Sequence, residues 1–124
     1  MEILNQISYD IIGASYKVHS ELGPGLLEST YEVCLEYELM KIGYKVERQK
    51  PLPVIYDGIK FDAGYRIDLL VEDLVIVELK SVNEMIPLFK AQLMTYLKLA
   101  ELKLGLLLNF NVTDMKKGIT RIVM

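Results

Sequence analysis

Apolar positions at the start of the chain recur at helical spacing. Ile3, Ile7, Ile11, Ala14 and Val18 predict a helix over about residues 2–21, ended by Leu22-Gly23-Pro24-Gly25. Leu27, Tyr31, Cys34, Leu35, Leu39 and Ile42 predict a second helix over about 26–42, stopped by Gly43. The period changes from Tyr44. Lys45–Arg48 and Pro53–Tyr56 read as short strands, and Asp57-Gly58 returns the chain through Ile59-Lys60-Phe61. Two apolar runs around the polar pair Glu72-Asp73 predict a hairpin over about 64–82. Pro87 opens a third helix to about residue 101, with Phe89, Leu93, Leu97 and Ala100 as its stripe. Leu104–Phe110 reads as a buried strand and Ile119–Val123 as a shorter last one.

The order α-α-β-β-β-β-β-α-β-β predicts an α/β fold, a mixed β-sheet flanked by α-helices, in one domain spanning residues 1–124. The third helix is placed to be the right-handed crossover between two parallel strands.

The central hairpin poses an electrostatic problem. If it is symmetric about residue 73, Asp68 lies opposite Glu78, and Arg66 and Lys80 share their face, while Ile67, Leu69, Val75, Val77 and Leu79 take the other. Like charges directly opposite are destabilising. Either the face is an open, salt-bridged one, or a cation offsets the repulsion. Carboxylates are hard ligands that suit Mg²⁺ or Mn²⁺, and Mg²⁺ takes one or two of them with water and phosphate. Lys80 would point at the same space and could orient an attacking water or stabilise charge on phosphorus. Gln92 and Tyr96, four apart on the third helix, follow this strand and are expected beside the apolar stripe. Glu28 and Glu32 are four apart on the second helix. Glu28 stands out by closely following Gly23-Pro24-Gly25, while the rest of the acidic run, Glu32, Glu36 and Glu38, is expected to be mostly solvated. The only histidine, His19, reads as a helix-end residue.

Charge and cysteine content narrow the classes. The net charge of −3 weakens any reading as a nonspecific nucleic-acid binder, although Lys41, Lys45, Arg48 and Lys50 form a local basic cluster. One cysteine, Cys34, excludes an intramolecular disulfide or a cysteine metal cage. With no apolar run near the length of a bilayer span and no signal-peptide pattern, the expected location is the cytoplasm and no membrane partner is expected.

The segment Gly25-Leu26-Leu27-Glu28-Ser29-Thr30-Tyr31 resembles the signature of the GxxExxY family, within the PD-(D/E)XK nuclease superfamily. The resemblance extends through Leu52-Pro53-Val54, Tyr65–Val71, Val75–Lys80, Ala91-Gln92-Leu93 with Tyr96, and Gly105–Phe110. It implies a restriction-endonuclease-like core with a central four-stranded mixed sheet. Asp68 would be the motif aspartate, preceded by Ile67 rather than proline, and Glu78-Leu79-Lys80 the (D/E)XK triplet. The Leu79 carbonyl would be a further metal ligand. Glu28 resembles the first-helix glutamate of related nucleases, and Gln92 with Tyr96 the Gln-x-x-x-Tyr pair of RecB-domain relatives. The leading expectation is a Mg²⁺- or Mn²⁺-dependent nuclease cutting DNA by metal-activated water. In it Asp68, Glu78 and Glu28 hold metal, and Lys80, Gln92 and Tyr96 complete the site. The alternatives are a catalytically silent module binding nucleic acid or a protein partner, and a homodimer cutting branched DNA.

Overall fold

The computed structural model describes residues 1–124. Three helices, α1 (Glu2–Leu22), α2 (Glu28–Ile42) and α3 (Pro87–Ala100), accompany seven strands. The strands are β1 (Val46–Pro51), β2 (Val54–Tyr56), β3 (Ile59–Phe61), β4 (Arg66–Val71), β5 (Val75–Lys80), β6 (Leu104–Asn109) and β7 (Ile119–Val123). Their order along the chain is the expected one. Five strands, not four, form the sheet, in the order β1-β4-β5-β6-β7, because β1 pairs along β4 at one edge and β7 along β6 at the other. Only β5 and β6 are parallel, joined by α3, as expected of a crossover. β2 and β3 pair with each other alone. No helix is long and apolar enough to cross a membrane.

The sheet is covered on both faces. On one, Ile7, Ile11, Ala14 and Val18 of α1 and Tyr31, Leu35 and Leu39 of α2 pack on Leu69, Val71, Val75, Val77 and Leu79. On the other, Leu93, Tyr96 and Leu97 of α3 pack on Leu70, Ile76, Leu107 and Ile122. Burial on both sides explains why β6 is buried at every position and carries no alternation.

Ile67 corrects the expected face assignment. It packs with Leu70 and Ile76 on the α3 side rather than with Leu69 and Val77. The alternation breaks at Asp68. Arg48↔Leu69 and Lys50↔Ile67 are paired, but the intervening Gln49 and Asp68 are not, and Gln49 takes the left-handed φ of 55°. A residue in that conformation interrupts the pleat that strict alternation assumes. Arg66, expected to share the face of Asp68, is exposed; its guanidinium donates to the Tyr65 carbonyl and lies 3.9 Å from Asp62.

Two glycines set how closely neighbouring pieces approach β6. A Cβ on Gly118 would lie 2.1 Å from the Asn109 carbonyl oxygen, whereas one on Gly105 would meet only the Leu93 side chain, at 3.0 Å. Backbone cannot step aside as a leucine can. Gly118→Ala is therefore expected to cost ~3 kcal/mol in urea unfolding, and Gly105→Ala less than half of that.

Candidate active site

The β4–β5 pairing runs Val71↔Val75, Leu70↔Ile76 and Leu69↔Val77, then stops. One step further the register would set Asp68 against Glu78, the expected facing pair. There side chains replace the ladder. The Leu79 N–H donates to Asp68 Oδ2 at 3.0 Å, and the Asp68 N–H donates to Glu78 Oε1 at 3.3 Å. Each carboxylate thus caps a backbone donor at the other's strand, so these two donors keep acceptors where the strands part.

Two carboxylates from α2 join them. The Gln49 amide donates to Glu32 Oε1 at 2.7 Å and to Asp68 Oδ1 at 3.2 Å, tying α2 to β4. Glu32 is only 5% exposed, which corrects its reading as a solvated member of an acidic run. Burial raises its carboxyl above the ordinary range, an effect the Gln49 hydrogen bond opposes. Glu28, in the first turn of α2, is raised by burial and by the Asp68 charge, and Lys80 pulls it back. Burial pushes Glu78 furthest, to about 9, with the Asp68 charge adding in the same direction.

The loop before α2 explains how Glu28 is held. Gly25 turns the chain at φ 98°. The Tyr31 hydroxyl donates to the Gly23 carbonyl at 2.5 Å and accepts from the Leu26 N–H at 3.1 Å. Its ring stacks on Phe110, with centroids 4.6 Å apart. Ser81, just past β5, donates to the Leu26 carbonyl at 2.7 Å. Gly25 and Tyr31 therefore shape and anchor the loop, and Glu28 is left as the residue of that motif whose charge meets Asp68 and Lys80.

Lys80 pairs with no carboxylate. Its ammonium lies 4.4 Å from the Phe89 ring centroid, a cation–π contact that holds it beside the site. Gln92 donates to the Tyr96 hydroxyl at 3.3 Å. Tyr96 does not stand beside the α3 stripe, as expected, but within it, 8% exposed against Leu93 and Leu97. Burial raises its hydroxyl, and the charge of Glu78 raises it further, which brings Tyr96 into the site's field. The His19 ring bonds to none of these side chains. Its Nε2 sits 2.6 Å from the Val112 carbonyl and ties the end of α1 to the loop after β6.

Four carboxylates, Glu28, Glu32, Asp68 and Glu78, thus stand against the Lys80 ammonium and the Arg48 guanidinium that acts on Glu32. The donor set is all oxygen and suits a hard divalent ion. No three His, Cys, Asp or Glu side chains are gathered around one point. Mg²⁺ does not require that, since it keeps several waters and takes one or two carboxylates. Sequence reasoning missed Glu32 and Gln49. Glu32 had a signal in its four-residue spacing from Glu28, whereas Gln49 had none.

A family model for the PD-(D/E)XK nuclease superfamily matches residues 5–122. The chain belongs to that superfamily. Its five-stranded mixed sheet between helices is consistent with the restriction-endonuclease-like fold. No curated protein and no solved structure matches the chain. Membership points to nuclease activity and a nucleic-acid substrate; such nucleases typically use divalent metals.

The raised Glu78 carboxyl carries a sign that can be measured. Folded Glu78 binds its proton more tightly than the unfolded group, whose ordinary value is 4.5. The Glu78 contribution to metal-free stability is then greatest below about 4.5 and falls as pH rises towards about 9. Glu78→Gln resembles the protonated form. It should stabilise the metal-free protein by ~2 kcal/mol at pH 8, and the gain should vanish near pH 4, as read by thermal unfolding in EDTA.

Proposed function

We propose that this nuclease-superfamily member hydrolyses DNA phosphodiester bonds with Mg²⁺ or Mn²⁺, and that within the superfamily it stands in the GxxExxY group through Gly25, Glu28 and Tyr31. The observation that carries the reading is the meeting of Asp68 and Glu78 where the β4–β5 ladder parts, with Lys80 two residues beyond Glu78 and free of any ion pair.

Asp68 and Glu78 would hold the ion, with Glu28 and the Leu79 carbonyl as further oxygen donors. When bound, the ion would lower the pKa of a water and neutralise charge on the phosphate. The chain's own groups do the rest. Lys80 directs its ammonium at the attacking water and the developing phosphoryl charge. Glu32, through Gln49, keeps the Asp68 carboxylate in place. Gln92 and Tyr96 orient the strand against Glu78. In the reaction a water oxygen bonds to phosphorus as it gives up a proton to solvent, the opposite P–O ester bond breaks, and the departing sugar oxygen takes a proton from a second water.

Asp68→Asn, which keeps an acceptor for the Leu79 N–H, and Lys80→Ala are each expected to lower DNA cleavage by at least ~10²-fold while shifting the unfolding temperature by only a few degrees. EDTA should stop the parent enzyme, and Mg²⁺ or Mn²⁺ should restore it. Parental cleavage rates in either variant would sink the assignment.

A further inference from the structure

An apolar groove of about 410 Å³ lies between α3 and the start of the β2–β3 hairpin, and its lining includes Tyr96, whose hydroxyl feels the Glu78 charge. Val54, Tyr65 and Leu88 contribute its apolar walls, and Gln92 and Tyr96 bring its polar atoms. Gln92 and Tyr96 belong equally to the candidate active site, so whatever fills the groove lies next to the reacting phosphate. The Tyr65 ring is 46% exposed and meets Tyr96 at 66°, with centroids 6.2 Å apart. Leu88, in the first turn of α3, is 67% exposed. The hairpin prolongs this surface. Phe61 is the cross-strand neighbour of Val54, and Tyr56 of Ile59, so all four share one face, with Tyr56 73% exposed.

Charge selects among occupants. The chain carries −3 overall, and four carboxylates crowd the adjacent site. A phosphate backbone alone gains little here, because backbone affinity comes from clustered Lys and Arg. A nucleic acid held at this place must draw affinity from its bases. Stacking on aromatic side chains supplies that for unpaired bases, which expose both a flat apolar face and a polar edge. In a duplex those faces are already stacked and the edges already paired, and extruding a base costs a few kcal/mol. The groove offers the matching chemistry, a half-exposed tyrosine ring for the face and the Gln92 amide for the edge.

We propose that the groove is a nucleobase subsite, and that the enzyme acts on unpaired nucleotides of single-stranded nucleic acid. This rests on the nuclease reading of the neighbouring carboxylates and adds to it the form of the substrate.

The test separates binding from cutting. Fluorescence anisotropy is measured in EDTA on the Asp68→Asn variant, which loses one site charge and cannot cut. The probes are a short labelled DNA strand, the same sequence in RNA, the DNA duplex, and a DNA strand of equal length made of abasic nucleotides. A natural single strand, DNA or RNA, should bind about tenfold tighter than the duplex and the abasic strand. Adding Tyr65→Ala, or the uncharged Leu88→Ser at its exposed position, should remove that advantage without changing abasic-strand affinity, and Tyr65→Phe should keep it. Abasic and natural strands binding alike would overturn the subsite, as would both groove variants binding like their parent. Failure of the nuclease reading looks different: base-dependent binding persists while the parent enzyme cuts no nucleic acid with Mg²⁺ or Mn²⁺.

Discussion

The exchange between Asp68 and Glu78 governs this structure. Two adjacent strands of a buried sheet part there, and parting normally leaves backbone donors without acceptors. Here the carboxylates themselves accept from the Leu79 and Asp68 N–H groups. The same act that satisfies the backbone brings two negative charges together in a poorly solvated place. Glu78 responds by holding its proton to about 9. A site of this kind is at odds with its own stability, and a divalent cation would relieve the repulsion.

The surrounding elements read as devices for holding that exchange still. Asn109, buried at the end of β6, accepts from the Val82 N–H and donates to the Val82 carbonyl, fixing the chain just after Lys80. Ser81 and Tyr31 together fasten the loop that delivers Glu28. Gln49 fastens Glu32 to Asp68. Each of these polar side chains binds backbone or another polar side chain, and no buried side-chain nitrogen or oxygen is left without a partner. Tyr96 alone belongs at once to the apolar core, the charged site and the neighbouring groove.

Legibility followed the physics of each signal. Helical stripes such as Ile7-Ile11-Ala14-Val18 were readable because burial on one side imposes a period on the sequence. The Asp68–Glu78 apposition was readable because a tight turn at Glu72-Asp73 fixes the register of everything beyond it. Ile67 was misplaced because a left-handed residue on the neighbouring strand interrupts the alternation, and no residue type announces that conformation at a glutamine. Glu32 was taken for surface because an acidic helix face looks the same whether it meets water or a site. Tyr96 was set beside its stripe because spacing gives a direction around a helix, not the width of the surface it packs against.

The sequence by itself determined the order of elements, the parallel pair joined by α3 and the facing of Asp68 and Glu78, because these depend on local periodicity and one turn. Only the tertiary structure decided that Glu32 and Gln49 reach Asp68, that Lys80 rests on Phe89, and that Tyr65 and Leu88 line a groove with Tyr96. Those neighbours come from separate elements, and their meeting depends on how helices and strands pack across the sheet, which no spacing along the chain records.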